Sequence, residues 1–313
     1  MRLFTQCACV LFDEAPPAEV LEQALDRWAL AGRQLPAPGD DGWLACGPGF
    51  VVGLRSGTSL IVDVVDRPFP DDARAASDSP PLGTAWQSGM FGPTAAPGAL
   101  ERAKQHAWTW TEGADAADRH RAFVRLRTII ELPEDGQLPQ DHDPLHELTT
   151  VTEMAGDLLR VPGATAFFLP GGESLRSREQ VEAMLHRKSG VGPPPVELWL
   201  NLRSAALGHN GDERWVLIDV VGMGQLRYPD QEAIFVDGQE QGQAVAALLR
   251  NACLHLVAGK PIPGGSTADD ASGRYWKASE TTGVLAPSRP VLRWLPEGSA
   301  RVTEETLSKL RAG

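Results

Sequence analysis

The order of apolar runs along this chain constrains its fold more than any single motif. A strand pattern over residues 3–12 stops at Asp13. Pro16 and Pro17 then open a helix to about Ala31, with Leu21, Leu25, Trp28 and Ala29 at helical spacing. Trp43–Cys46 and Phe50–Leu54 flank a Gly-Pro-Gly turn and read as a hairpin. Leu60–Val65 reads as a buried, β-branched strand. After a loop, a helix over Ala99–Thr111, a strand over Phe123–Ile130, a helix over Pro144–Leu159 and a strand over Ala164–Phe168 follow. Ser177 and Gln180 have the spacing of a capping box for the next helix. Val196–Leu202 alternates as a strand, Trp215–Val221 and Ala233–Val236 read as two more, and Gln241–Val257 is an amphipathic helix. Strands and helices do not alternate one for one, so a doubly wound parallel sheet is not expected. The order predicts an α+β fold, with helices packed on antiparallel sheets in two ferredoxin-like halves.

Composition places boundaries on this order. Residues 68–98 are rich in Pro, Gly, Ala, Ser and Asp and read as a long loop whose apolar anchors, Trp86, Met90 and Phe91, either dock it on the core or bind a partner. The chain therefore divides into an N-terminal α/β half (1–67), this loop (68–98), a main α+β domain (99–260) and a tail (261–313). The tail is Pro/Gly-rich, carries Trp276 and Trp294 as anchors, and is expected to wrap the body and end in a short helix capped by Thr303. No stretch approaches the ~18 apolar residues of a membrane span, and the first residues lack the apolar run and cleavage site of a signal peptide. Cys7, Cys9, Cys46 and Cys253 are scattered, with no CxxC pair. Free buried thiols in a reducing cytoplasm are the expectation.

The acidic residues are distributed unevenly. Eight carboxylates and no Lys or Arg lie between Arg127 and Arg160: Glu131, Glu134, Asp135, Asp141, Asp143, Glu147, Glu153 and Asp157. Four more, Asp230, Glu232, Asp237 and Glu240, lie between Arg227 and Arg250, again with no Lys or Arg. The two windows hold twelve negative charges, equal to the net charge of −12. Such a field favours a cationic partner and disfavours nucleic acid and anionic membranes.

Candidate chemical sites are weak beside this field. His142 and His146 have an i, i+4 spacing that suits a divalent metal on a helix, but Pro144 interrupts it, and a solvated acidic helix start is the expectation. Gly171-Gly172 precedes Glu173, a poor neighbour for a phosphate, and no Lys follows in P-loop spacing. Gly222-Met223-Gly224 runs on toward Pro229 instead of into a helix, so it reads as a turn. Arg119, His120, Arg121, Arg125 and Arg127 form a short basic patch expected to pair internally with carboxylates. No metal, cofactor or catalytic group is expected.

Several stretches resemble a known bacterial family, the domain of unknown function 4261. Arg119–Val124 resembles its basic helix-to-strand segment, and Pro195–Leu200 looks like its P-x-E-L-W strand. Val221-Gly222-Met223 through Glu232 is similar to its TGM…PE stretch, and Ile262–Thr267 to its closing segment. Val221 stands where the family has Thr, and Arg227-Tyr228 where it has Phe-Gly. The similarity spans roughly 99–270 and implies the setting of secreted bacterial toxins, type VI secretion among them, and their immunity proteins.

The expectation from the sequence is thus an acidic cytoplasmic binding protein, not an enzyme, that occludes a basic secreted toxin. Its contact residues are expected to be Glu134, Asp135, Asp141, Asp143, Asp230, Glu232 and Asp237, with Trp86 and Trp199 as exposed anchors. The alternatives are a secretion-system adaptor, or an enzyme of unrecognised type using His142 or His146.

Overall fold

The computed structural model describes residues 2–34, 43, 47–54, 58–132, 136–188, 193–298, 302 and 307. The chain divides into two compact units, residues 1–199 and 200–313. The division falls inside the stretch 99–260 that composition suggested as one domain. Residues 1–67 do not form a half of their own, because their strands share a sheet with a strand beyond residue 120.

In the first unit the strands are β1 (Arg2–Phe12), β2 (Leu30–Gln34), β3 (Gly49–Gly53), β4 (Thr58–Val65), β5 (Ala122–Glu131), β6 (Ala164–Leu169) and β7 (Ser174–Arg176). The helices are α1 (Ala18–Ala24), α2 (Ala73–Asp78), α3 (Pro80–Gln87), α4 (Ala99–Gln105), α5 (Gly113–Asp118), α6 (Pro144–Leu158), α7 (Arg178–Lys188) and α8 (Val196–Trp199). The sheet runs β2-β3-β4-β5-β1-β6-β7, each neighbouring pair antiparallel. Within it, β6-β1-β5-β4 has the ferredoxin-like order, with α1 and α6 in the two crossovers.

From Gln6 onward the alternation of β1 separates two buried layers. Cys7, Cys9 and Leu11 point into a cluster with Phe69, Leu82, Trp86, Phe91, Leu100 and Phe123. On the other face Gln6 reaches the Pro144 carbonyl, and α6 packs its Leu148, Val151, Ala155 and Leu158 inward. Asp143 starts α6 by accepting from the Leu145 and His146 amides, both at 3.0 Å, with Pro144 at the first turn. The capping box opens α7: Gln180 N–H donates to Ser177 Oγ at 3.2 Å, and Ser177 N–H to Gln180 Oε1 at 3.0 Å.

Several elements differ from their sequence pattern. The loop 68–98 contains α2 and α3; Pro80 and Pro81 sit at a helix start, where a missing N–H costs nothing. The helix from Ala99 stops at Gln105, and that expected to reach Ala31 stops at Ala24. Leu30–Gln34 instead pairs with β3, whose other partner is β4. Residues 44–46, Cys46 included, lie outside the described residues. Val196–Leu202 is a short helix followed by a strand from Asn201. Alternation misled there because Val196, Leu198 and Trp199 are all buried, so burial carries no period.

In the second unit β8 (Asn201–Asn210), β9 (Glu213–Val221), β10 (Asp230–Val236), β11 (Thr267–Asp269), β12 (Tyr275–Thr282) and β13 (Pro290–Pro296) form a sheet in the order β11-β12-β13-β10-β9-β8. α9 (Gly242–Val257) packs on β9 and β10. β10 and β13 pair in parallel, so this unit departs from the ferredoxin-like expectation. Among the described residues of the tail, β11–β13 are strands within this sheet and not a wrapping segment, with Trp276 and Trp294 buried. Trp215, Leu217, Ile234 and Val236 form a further cluster with Leu307. Thr303 lies outside the described residues. Both units are α+β.

Candidate functional site

The second acidic window is largely internal. Register places Arg203 opposite Asp219, Asp219 opposite Glu232, and Glu232 opposite Arg293, so one row of charges crosses β8, β9, β10 and β13. Side chains at directly opposed positions share a face, and here the signs run plus, minus, minus, plus, so Asp219 and Glu232 lie side by side between two arginines. Arg203 grips Asp219 with two bonds, of 3.0 and 2.6 Å. Arg289 joins Asp219 to Asp230, meeting Asp230 Oδ2 at 2.5 Å. Glu232 accepts from Arg293 Nε at 2.7 Å and from the Val284 amide at 2.8 Å. Burial pushes the Asp230 carboxyl above its ordinary range, while Arg289 and the Met223 amide pull the other way. Asp237 pairs with Arg214 at 3.2 Å and Glu240 with Arg274 at 3.1 Å. Each of the four carboxylates therefore has an arginine brought in from another strand or loop.

This corrects the surface expected from sequence. Asp230 and Glu232 are buried and ion-paired, and Asp237 is exposed but shared with Arg214. Trp86 is buried against Phe69 and Phe91. Trp199 is fully buried, its indole N–H donating to Thr152 Oγ1 at 2.8 Å. Neither tryptophan offers an exposed anchor. Glu134 and Asp135 lie outside the described residues. Asp141 and Asp143 are exposed, Asp143 also serving as the cap of α6.

Other candidates turn out to be structural. Glu147 is buried, accepts from Thr58 Oγ1 and Thr128 Oγ1, and lies 3.3 Å from His142 Nε2. His142 thus faces Glu147 with its side chain covered, whereas His146 is exposed one turn along α6. Among the described residues no group of three His, Cys, Asp or Glu side chains gathers to hold a metal ion. The Gly222-Met223-Gly224 turn is pinned by Asp230 Oδ1, which accepts from the Gly222 and Met223 amides at 3.0 and 2.7 Å. Glu173, after Gly171-Gly172, is buried and paired with Arg102 at 2.7 Å.

The basic patch divides in two. Arg119 and Arg121 are exposed, while Arg125 and Arg127 are buried and share Asp63 at 2.7 and 3.2 Å. His120 is buried, accepts the Phe69 amide on Nε2 at 2.8 Å and meets the Ala117 carbonyl through Nδ1. That arrangement holds the neutral ring, and burial lowers its pKa. The stability His120 contributes is thus complete above the unfolded value of about 6.5 and lost as pH falls through the depressed folded value. The urea midpoint is expected to drop between about pH 7.5 and about pH 5.5, with a smaller drop in His120→Gln. An equal drop in the variant would assign the effect to other groups.

Two surface features remain. Trp108 is 64% exposed, in the tight turns between α4 and α5, with its ring 5.3 Å from His106. Its neighbour Trp110 packs inward on the core cluster. Exposed Glu112, Asp115 and Asp118 follow, and Lys104 ties Asp118 to Glu101. The sequence pattern did not separate the outward from the inward tryptophan.

The second feature is an open cleft of about 560 Å³ lined by residues following α1 and by α6 and α7. Arg27 and Trp28 form one wall, Glu182 and His186 another, with Glu153 and Asp157 on α6. Gly156 of α6 faces α7: a Cβ there would meet the tip of the Leu185 side chain, Cδ1, at 2.8 Å. Asp157 Oδ2 accepts from Arg27 Nε at 2.6 Å and Trp28 Nε1 at 2.9 Å. Arg160 and Arg178 hold the Glu182 carboxyl below its ordinary range. Compared with family models, curated proteins and solved structures, the chain finds no match.

Proposed function

We propose that this protein works by binding a cationic protein partner without turnover, and that the partner is a basic secreted toxin which it neutralises in the cytoplasm by occlusion. The observation that carries this reading is Trp108. A tryptophan 64% open to solvent, followed within a few residues by exposed carboxylates, offers an aromatic face and negative charge to an arginine or lysine surface. Asp141 and Asp143 add exposed negative charge from the first acidic window. The resemblance of residues 99–270 to the bacterial domain of unknown function 4261 supports the toxin setting.

The two features act at different stages of association. An aromatic anchor acts mainly on dissociation, whereas exposed charges act on the encounter. In the complex recovered from the host by affinity capture, Trp108→Ala is expected to speed dissociation by about thirtyfold, corresponding to a hot-spot loss of ~2 kcal/mol. Asp141→Lys combined with Asp143→Asn is expected to slow association severalfold at low salt and little at high salt. Asn keeps the helix cap, so the second substitution removes charge with little loss of structure. Binding kinetics unchanged in both variants would overturn the reading.

A further inference from the structure

The cleft beside α6 already holds a guanidinium supplied by the chain itself. Arg27 lies over the Trp28 ring, its Cζ 5.1 Å from the centroid, and donates Nε to Asp157. Yet its side chain is 58% exposed, while that of Asp157 is only 10% exposed. A largely exposed arginine thus meets a buried carboxylate that also accepts from the Trp28 indole N–H. The second oxygen, Asp157 Oδ1, meets only Arg160 among the described residues, at 3.6 Å, beyond hydrogen-bond range. Arg160 turns its Nε to Glu182 instead, at 3.0 Å. The cleft therefore presents an aromatic face, a buried carboxylate with one under-used oxygen, and two further carboxylates, Glu153 and Glu182, at its walls.

From this geometry we infer that the cleft is a receptor for a guanidinium group, and that Arg27 occupies it in the free protein as an internal competitor. An incoming guanidinium takes the place of Arg27 over Trp28 and forks onto the two oxygens of Asp157, while Arg27 swings to solvent. Arginine suits this site better than lysine, because its planar fork matches a carboxylate and stacks on an aromatic ring. The group reaches the cleft either as a peptide arginine or as a free small guanidine. The inference stands on the cleft alone and does not depend on Trp108.

The test titrates N-acetyl-arginine amide into the full chain labelled with nitrogen-15 in tryptophan, following the Trp28 indole N–H signal assigned with Trp28→Phe. A saturable shift of that signal is expected, with a much weaker response to N-acetyl-lysine amide. Arg27→Ala removes the competitor and is expected to tighten binding about two- to fivefold, the worth of an exposed ion pair. That gain cannot come from misfolding. Asp157→Asn is expected to abolish the shift, and Glu182→Gln, at a more exposed position, to weaken it. An arginine-containing tripeptide that binds more tightly than the single residue points to a peptide source; equal affinities point to a free guanidine. No shift in either the natural chain or Arg27→Ala, or equal responses to the arginine and lysine probes, would overturn the inference.

Discussion

Replacing Asp63 by alanine is expected to destabilise the first unit by about 3–5 kcal/mol, the cost of stranding buried charge. Asp63 lies in β4 directly opposite Arg125 of β5, and its carboxylate is shared by Arg125 and Arg127. All three side chains are at most 1% exposed. Arg125 also donates to the Trp43 carbonyl and lies 5.5 Å from the Phe91 centroid; Arg127 lies 5.0 Å from that of Phe4. These contacts position the arginines but do not neutralise them, so removing the carboxylate that both share costs more than its own hydrogen bonds. Exchanging all three residues for apolar ones of similar volume should recover most of the loss, because a buried ion triad is seldom better than good packing. Hydrogen exchange of the β4 and β5 amides against denaturant reports the difference. An Asp63→Ala chain with unchanged protection would mean that Arg125 and Arg127 find other partners or water.

A loss of similar size, about 3–5 kcal/mol, is expected from Asp219→Ala in the second unit. Asp219 is the common acceptor of Arg203 and Arg289, and Arg289 in turn holds Asp230. Removing it leaves two arginines competing for the remaining carboxylates beneath the segment that carries Val284 and Ala286, whose backbone groups bond Glu232 and Arg203. Lost protection should appear in β8, β9 and β13 and spare the first unit. Asp237→Ala is the control: its pair with Arg214 is about half exposed on both sides. Such a pair contributes less than about 1 kcal/mol. Equal losses in the two variants would show that the charge row carries no special weight.

These two networks also define what could be read from the chain. Strong local patterns were legible. The β1 and β5 runs, the Asp143-Pro144 start of α6, the Ser177–Gln180 capping box and the apolar stripe of α9 each determine their own local structure. The α+β class and one ferredoxin-like strand order follow from their sequence order. Charge placement was not legible in the same way. Windows counted along the chain made Asp230 and Glu232 part of an exposed field, whereas strand register brings them arginines 59 and 61 positions away. A local signal did exist: Asp63 interrupts Leu60–Val65 and Asp219 interrupts Trp215–Val221, and a carboxylate within a buried apolar strand requires a buried partner. The Trp28–Asp157 cleft left no such signal, because it is assembled from residues about 130 positions apart. Trp108 and Trp110 differ only in which way a tight turn points them, which composition cannot register.

The most direct test of the binding account is to capture the partner from the host and titrate it against the full chain at low and moderate salt. The account predicts a one-to-one complex with a basic protein, in which association slows as salt rises and Trp108→Ala dissociates faster. A partner of neutral or acidic character, or a complex indifferent to both salt and Trp108, would contradict it.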